Sequence, residues 1–137
     1  MNLAEKILVT PYQQVTGDIK VSVMPENIQE ESDQTQGVFV FSYTIRIENG
    51  GTETVQLLER YWLVFSGGAR IAEIVGPGVQ GGQPVIKPGE HYEYQSNAII
   101  KDPIGSMKGE YTFRSEEGKF FQVGIPSFDL VYPEVYH

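Results

Sequence analysis

The chain has 137 residues, a formal net charge of −8 and an isoelectric point of about 4.7. That length suits one domain with its own hydrophobic core, and 40% hydrophobic residues is typical of a globular protein. The negative charge excludes a function based on attraction to nucleic-acid phosphates or to an anionic membrane. The absence of cysteine excludes disulfides, thiolate zinc sites and cysteine nucleophiles.

We expect no signal peptide at the start of the sequence. Residues 1–7 lack the basic start and long apolar run of a signal peptide, and no stretch of the chain is apolar enough to span a bilayer. We therefore expect a cytoplasmic protein that binds neither nucleic acid nor membrane. Residues 1–16 are predicted to form a mixed lead-in segment, which ends at the turn-forming pair Thr16-Gly17.

Apolar and polar residues alternate in the first half of the chain, as they do in half-buried strands. The first predicted strand begins at Asp18 and is closed by Pro25, and residues 26–36 are predicted to form an acidic loop. The clearest alternation covers residues 38–48, where aromatic and branched residues share one face. This pattern predicts an antiparallel strand with one solvent-facing side.

The segment that follows predicts a hairpin and a central strand. Asn49-Gly50 favours a type I′ turn, because both central residues of that turn have a positive φ. The strand predicted at 54–65 is apolar on both faces near its end, which indicates a central position in a sheet. Its adjacent Leu57-Leu58 breaks the alternation, so we predict a β-bulge there. A return strand is predicted at 69–75.

Short alternating segments continue towards the end of the chain. They predict strands at 85–86, 92–96, 107–114 and 120–125. Residues 101–106 are predicted as a loop, and Pro126 is expected to interrupt the last strand, so that residues 126–137 form an extended C-terminal tail. About seven or eight short strands without a helix predict an all-β fold. We expect an immunoglobulin- or fibronectin III-like antiparallel β-sandwich, with a barrel as the second choice, and a single domain over residues 1–137.

The most glycine-dense run, at residues 76–84, contains the pattern G-x-G-x-x-G. Its backbone N–H groups could form a nest for a phosphate. The dinucleotide-binding form of the pattern precedes a helix, whereas Gln83-Pro84 favours extended backbone and Pro77 removes one N–H group. The other interpretation is a tight connection between strands. The candidate ligand or partner residues of this loop are Gly76, Gly78, Val79, Gln80, Gly81 and Gly82.

An aromatic pair, Tyr61-Trp62, lies in the predicted central strand and includes the only tryptophan of the chain. Trp62 is interpreted as a core anchor, which sandwich folds often have. The alternative is an exposed aromatic shelf for a partner peptide or a ligand.

Neither metal binding nor catalysis has a clear signature in the sequence. The two histidines, His91 and His137, are too few and too distant for a zinc site. Acidic clusters at 30–33 and 116–117 could hold Mg²⁺ weakly through water, although solvated loop charge is the simpler interpretation. The chain has no G-x-S-x-G motif and no fixed Ser–His pair. We expect no catalytic residue, no metal site and no cofactor, with Mg²⁺ or another divalent cation left open.

Several segments share their pattern with one known family. They are residues 19–23, 57–62, 76–84, 87–90, 94–96, 103–111 and 121–130. In this order they resemble the ApaG family over nearly the whole chain. Two positions depart from the family pattern. Tyr61 stands where members typically have histidine, so any role of that histidine is absent. Pro77 stands where an acidic or polar residue is usual, which weakens the phosphate interpretation of the loop.

The resemblance implies a fibronectin type III-like sandwich, and it implies little about function. Bacterial members of the family are linked genetically to cobalt and magnesium handling, without an agreed biochemical activity. In eukaryotic F-box and polymerase-interacting proteins the same domain looks like a protein-interaction module. We therefore expect a non-catalytic module that binds an unidentified protein partner through its sandwich edges and the loop, with a homodimer left open. The alternative is a nucleotide- or pyrophosphate-binding regulator that uses the loop from Gly76 to Gly81.

Overall fold

The computed structural model describes residues 10–133, which form two antiparallel β-sheets packed face to face. The strands are β1 Tyr12–Thr16, β2 Ile19–Asn27, β3 Phe39–Asn49, β4 Val55–Ser66, β5 Ala69–Pro77, β6 Val85–Ile86, β7 His91–Ile100, β8 Ile104–Ser115 and β9 Phe120–Val131. One sheet has the order β1-β2-β3-β7, and the other has the order β5-β4-β8-β9 with β6 beside β4. The predicted all-β antiparallel sandwich is confirmed. Within the described residues, no helix is long and apolar enough to cross a membrane.

Side chains from both sheets fill one core, as the alternating patterns predict. Phe41, Ile45 and Ile47 of β3 are at most 1% exposed, and Tyr111 and Phe113 of β8 are fully buried. Burying each such side chain stabilises the fold by about 1.5–3 kcal/mol. Exposed ion pairs, such as the one at 3.6 Å between Arg46 and Glu48, typically contribute about 1 kcal/mol or less. The core, and not surface charge, therefore holds the sheets together.

The predicted hairpin at Asn49-Gly50 is wrong, because the chain crosses between the sheets at this point. β3 pairs with β2 and β7, whereas β4 pairs with β5, β6 and β8. Asn49 is 2% exposed, and its Nδ2 donates to the carbonyl oxygens of Glu53 and Ile86. Its Oδ1 accepts from the N–H of Gly51. The side chain thus satisfies backbone groups at the crossover, and neither residue of the pair has a positive φ.

The β-bulge predicted at Leu57-Leu58 is confirmed, since the pairing of β4 with β8 shifts between Leu57 and Glu59. A bulge inserts one residue and so exchanges the two faces of the strand beyond it. Leu57 faces the core before the bulge, and Trp62, which is 2% exposed, faces it afterwards. Arg60 lies on the same inner face as Trp62. The bulge is the reason that an arginine of this strand points between the sheets.

Several element boundaries differ from the sequence-based ones. β2 continues through Pro25 to Asn27, so the strand end predicted at this proline is wrong. Residues 12–16, within the predicted lead-in, form β1, and β8 begins at Ile104 inside the predicted loop. β9 continues through Pro126 to Val131, so the interruption predicted at this proline is wrong. The proline is tolerated because β9 is an edge strand whose register with β8 shifts at this point. Residues 1–9 of the lead-in and 134–137 of the tail lie outside the described residues.

The two sheets are closed along one side and open along the other. On the closed side, β1 and β2 contact β9, and the hydroxyl of Thr16 accepts from the N–H of Gly124 at 3.1 Å. On the open side lie the edge strands β5 and β7. The glycine-rich segment follows β5 there and reaches β7, where Gln80 donates to the carbonyl oxygen of Gln95 at 2.9 Å.

Candidate functional site

A recess lies on the open side of the sandwich, between β5, the glycine-rich segment and β7. We call it the edge recess, and its cavity volume is about 360 Å³. The lining residues used below are Tyr43, Arg60, Ile74, Gln80, Tyr94 and Ser96. Of the residues that the structure describes, those lining the recess combine one positive charge with neutral hydroxyl and amide groups and include no acidic side chain.

The wall formed by the glycine-rich segment is a tight two-residue turn. The N–H of Val79 donates to the carbonyl oxygen of Gly82 at 2.8 Å, and the N–H of Gly82 donates back at 2.9 Å. Gln80 and Gly81 between them have φ values of 50° and 77°. Two successive left-handed residues define a type I′ turn, the turn that fits twisted antiparallel strands. The interpretation of the segment as a tight connection therefore agrees with its geometry.

Gly78 is required for close approach of the backbone within this turn. Its N–H donates to the carbonyl oxygen of Leu58 at 2.7 Å, and its φ is +59°. A Cβ at this position would lie 1.9 Å from the carbonyl oxygen of Gly82, so only glycine fits. The N–H groups of Gly78, Val79 and Gly82 thus all donate to carbonyl oxygens of the protein. A phosphate nest would need such donors to be free.

The loop residues proposed from the sequence divide into buried and exposed groups. Gly78 and Val79 are buried, and Val79 is part of the core at 1% exposure. Gln80, Gly81 and Gly82 are exposed and form the outer surface of the turn. A partner on the open side would therefore meet the turn at these three residues, and Val79 has a packing role.

Arg60 fastens the start of the turn to β4. Its Nη1 donates to the carbonyl oxygens of Pro77 and Gly78, each at 2.9 Å. The ion pairs of the described residues involve other cations, namely Arg46 and Lys119. The sequence patterns do not single out Arg60 as a site residue. The sequence feature that could have identified Arg60 is the bulge predicted at Leu57-Leu58, because the bulge places Arg60 on the inner face of β4.

A group of tyrosine hydroxyls lies close to Arg60. The hydroxyls of Tyr94 and Tyr111 are hydrogen-bonded at 2.5 Å, and either can be the donor. Burial raises the pKa of Tyr43, Tyr94 and Tyr111, and the positive charge of Arg60 opposes part of each rise. These hydroxyls therefore stay protonated at neutral pH, and the edge recess presents those of Tyr43 and Tyr94 as neutral donors and acceptors.

The aromatic pair divides between the two faces of β4. Trp62 lies in the core, with ring centroids 5.5 Å from Tyr43 and 6.0 Å from Phe128. Tyr61 faces away from the core, and its hydroxyl donates to Oε2 of Glu73 at 2.7 Å. That hydrogen bond raises the pKa of the tyrosine hydroxyl. Trp62 is thus placed as a core anchor, whereas Tyr61 belongs to the outer surface beside β5.

The residues considered for metal binding and catalysis lie apart. Within residues 10–133, no group of three or more His, Asp or Glu side chains is arranged to hold a metal ion. His91 is exposed at the start of β7, and His137 lies outside the described residues. Glu116 accepts from the N–H of Thr54, and Glu30 belongs to a short 3-10 turn in the acidic loop.

These features define a class of protein, a two-sheet antiparallel sandwich whose open side is bridged by the turn at residues 78–82, which we call the glycine turn. Comparison with known proteins then identifies the family. The ApaG domain family (DUF525) matches residues 29–115. Protein ApaG of Paramagnetospirillum magneticum is 43% identical over 122 residues, which is 89% of this chain and 94% of that protein. Protein ApaG of Nitrosomonas eutropha is 45% identical over 120 residues, which is 88% of this chain and 94% of that protein.

A solved structure has the same fold as this chain. The crystal structure of the ApaA protein from Bordetella pertussis superimposes with a TM-score of 0.82 at 41% identity. The superposition covers 93% of this chain and 100% of that one. The chain belongs to the ApaG family.

Proposed function

We propose that this ApaG-family chain is a non-catalytic protein-interaction module of the cytoplasm that binds its partner along β5 and the adjacent glycine turn. The observation that supports this proposal is the edge of β5. Among the described strands, β5 pairs only with β4, and Ile71, Ile74 and Val75 are 38%, 39% and 65% exposed. An unpaired strand edge that carries branched apolar side chains is a template for an added strand of a partner.

The glycine turn supports the same surface because it is held in place. Arg60 ties its start to β4, and Gln80 ties its tip to β7. A rigid surface loses little conformational entropy on binding, and this favours affinity. Tyr61 lies on the outer face opposite Val75 of β5 and enlarges the apolar part of the surface.

A pull-down from the lysate of the native organism tests the proposal. The tagged full chain should retain a stoichiometric partner, and Val75→Lys and Gln80→Ala should each reduce its recovery. Val131→Lys is the matched control, because Val131 is 55% exposed on β9 at the far edge of the same sheet. Equal recovery by all variants would show that the β5 edge is not the binding surface. The mass of the captured species separates a different protein from a second copy of this chain.

The nucleotide or pyrophosphate alternative has less support from the geometry, because three N–H groups of the turn donate within the protein. It is tested by thermal denaturation with ATP, pyrophosphate and Mg²⁺. A ligand at about 100 times its Kd stabilises the folded state by about 2.7 kcal/mol. The absence of any stabilisation would reject this alternative.

We propose that the genetic link of the family to cobalt and magnesium reflects a property of the partner protein. Direct coordination has no supporting cluster among residues 10–133. We therefore place the cation dependence in the protein that the module binds. Partner recovery in the pull-down should then respond to added Mg²⁺, while the thermal stability of the isolated chain should not.

A further inference from the structure

Arg60 differs from a typical surface arginine of this acidic chain. Arg46, for comparison, contacts Glu48 at 3.6 Å and Glu93 at 3.9 Å. Arg60 has no carboxylate within ion-pairing distance among the described residues, although the chain has a net charge of −8. Its charge therefore faces the edge recess without a counter-charge from residues 10–133.

The hydrogen bonds of Arg60 leave part of its guanidinium available. Within the part of the chain that the structure describes, its two hydrogen bonds, to the carbonyl oxygens of Pro77 and Gly78, both come from Nη1. They fix the plane of the group and leave Nε and Nη2 on its other edge. A guanidinium edge with two parallel N–H groups matches the two oxygens of a carboxylate.

The walls of the recess supply neutral hydrogen-bonding groups around this edge. Tyr43 and Ser96 lie directly opposite each other in the β3–β7 pair and both line the recess. Burial raises the pKa of Tyr43, so its hydroxyl can donate at neutral pH. We infer that the edge recess binds a small carboxylate, with its oxygens on Nε and Nη2 of Arg60 and the hydroxyl of Tyr43 as an additional donor.

The charge and size of the recess favour a monoanionic carboxylate over a phosphate. One guanidinium balances one negative charge, and the surrounding chain repels a second. The volume of about 360 Å³ is at the lower end of the range for small-molecule pockets. This binding concerns a free small molecule and its test needs no protein partner, although Ile74 and Gln80 belong both to the recess and to the proposed partner surface.

NMR titration of the ¹⁵N-labelled full chain tests the inference. Sodium acetate and sodium propionate, both monoanionic at neutral pH, are added at constant ionic strength, with sodium chloride as the reference and sodium phosphate as a separate arm. We expect saturable shifts of the Arg60 Nε–H and of the backbone N–H groups of Gly81 and Ser96 with the carboxylates only. Shifts equal to those in chloride, or tighter binding of phosphate than of acetate, would overturn the inference.

Variants test whether the carboxylate binds in the edge recess. Arg60→Gln should raise the Kd for acetate by about tenfold or more, since charge-assisted bidentate bonds are lost, and Arg60→Lys should retain part of the affinity. Arg46→Gln is the matched control and should leave the Kd unchanged. If Arg60→Gln disturbs the turn, Tyr43→Phe tests the site instead. This variant keeps Arg60 and should still weaken acetate binding several-fold. An unchanged Kd in both Arg60→Gln and Tyr43→Phe would contradict the proposed site.

Discussion

Gly76 lies directly opposite Arg60 in the β4–β5 pair, and the guanidinium of Arg60 occupies the space beside it. A Cβ at position 76 would lie 3.1 Å from both Nη1 and Nη2 of this arginine. The first glycine of the G-x-G-x-x-G pattern thus makes room for a side chain of the same protein. Gly78 makes room for a carbonyl group within the turn, so both glycines have a structural explanation without a bound phosphate.

Substitution of Gly76 is expected to destabilise the fold through Arg60. Gly76→Val should lower the free energy of unfolding by about 1–3 kcal/mol, because the added methyl groups overpack against the fixed guanidinium. Urea denaturation followed by the fluorescence of Trp62 measures the change. Gly82→Ala is the matched control, since the nearest atom to its Cβ would be 3.9 Å away. An equal loss in both variants would show that contact with Arg60 is not the cause.

Asn49 is expected to be important for stability at the crossover between the sheets. Asn49→Ala leaves the carbonyl oxygens of Glu53 and Ile86 without their side-chain donor. Because Asn49 is 2% exposed, the expected loss is about 1–3 kcal/mol of unfolding free energy. Thermal and urea denaturation measure it, and Asn97→Ala, at an exposed position of β7, should change stability little. Equal effects of the two substitutions would contradict the role given to the buried amide.

The same asparagine shows which part of the fold local patterns predict. Alternation identifies the inner face of β3, because a strand side must be apolar wherever it meets the core. It does not identify the neighbour of β3. Asn49-Gly50 has the composition of a hairpin turn, yet the buried side chain of Asn49 bonds to the backbone at residues 51, 53 and 86. The bond to Ile86, 37 residues away, has no local signal, so the change of sheet could not be predicted.

The candidate site was predictable only in part for a related reason. The glycine pattern marks the turn, since positive φ and close backbone approach require glycine at particular positions. Strict alternation that starts from the inward-facing Leu57 would place Arg60 on the solvent-facing side of β4. That placement is wrong, because it leaves out the extra residue of the bulge. The bulge was predictable from Leu57-Leu58, and its consequence is that Arg60 shares the inner face with Trp62. The recess itself depends on tertiary pairing of β3 with β7.

The hydrogen bond between Tyr94 and Tyr111 is expected to couple the two sheets energetically. Tyr94 is on β7 and Tyr111 is on β8, so the bond joins the inner faces of opposite sheets. Tyr94→Phe or Tyr111→Phe should each cost about 1–2 kcal/mol, because the remaining hydroxyl loses its partner. The double variant should cost less than the sum of the single ones. Strict additivity in urea denaturation would show that the bond contributes no coupling.

Alkaline pH is expected to destabilise the protein through the same two tyrosines. Burial raises the pKa of both hydroxyls above the ordinary value of 10.0, so the folded state keeps protons that the unfolded state releases. The free energy of unfolding should therefore be unaffected by these groups below about pH 10 and fall as the pH rises further. Urea denaturation from neutral pH to about pH 11, with tyrosinate absorbance as a second signal, measures this dependence. The double variant Tyr94→Phe/Tyr111→Phe should show a shallower decline, and an equal slope in both proteins would assign the alkaline transition to other groups.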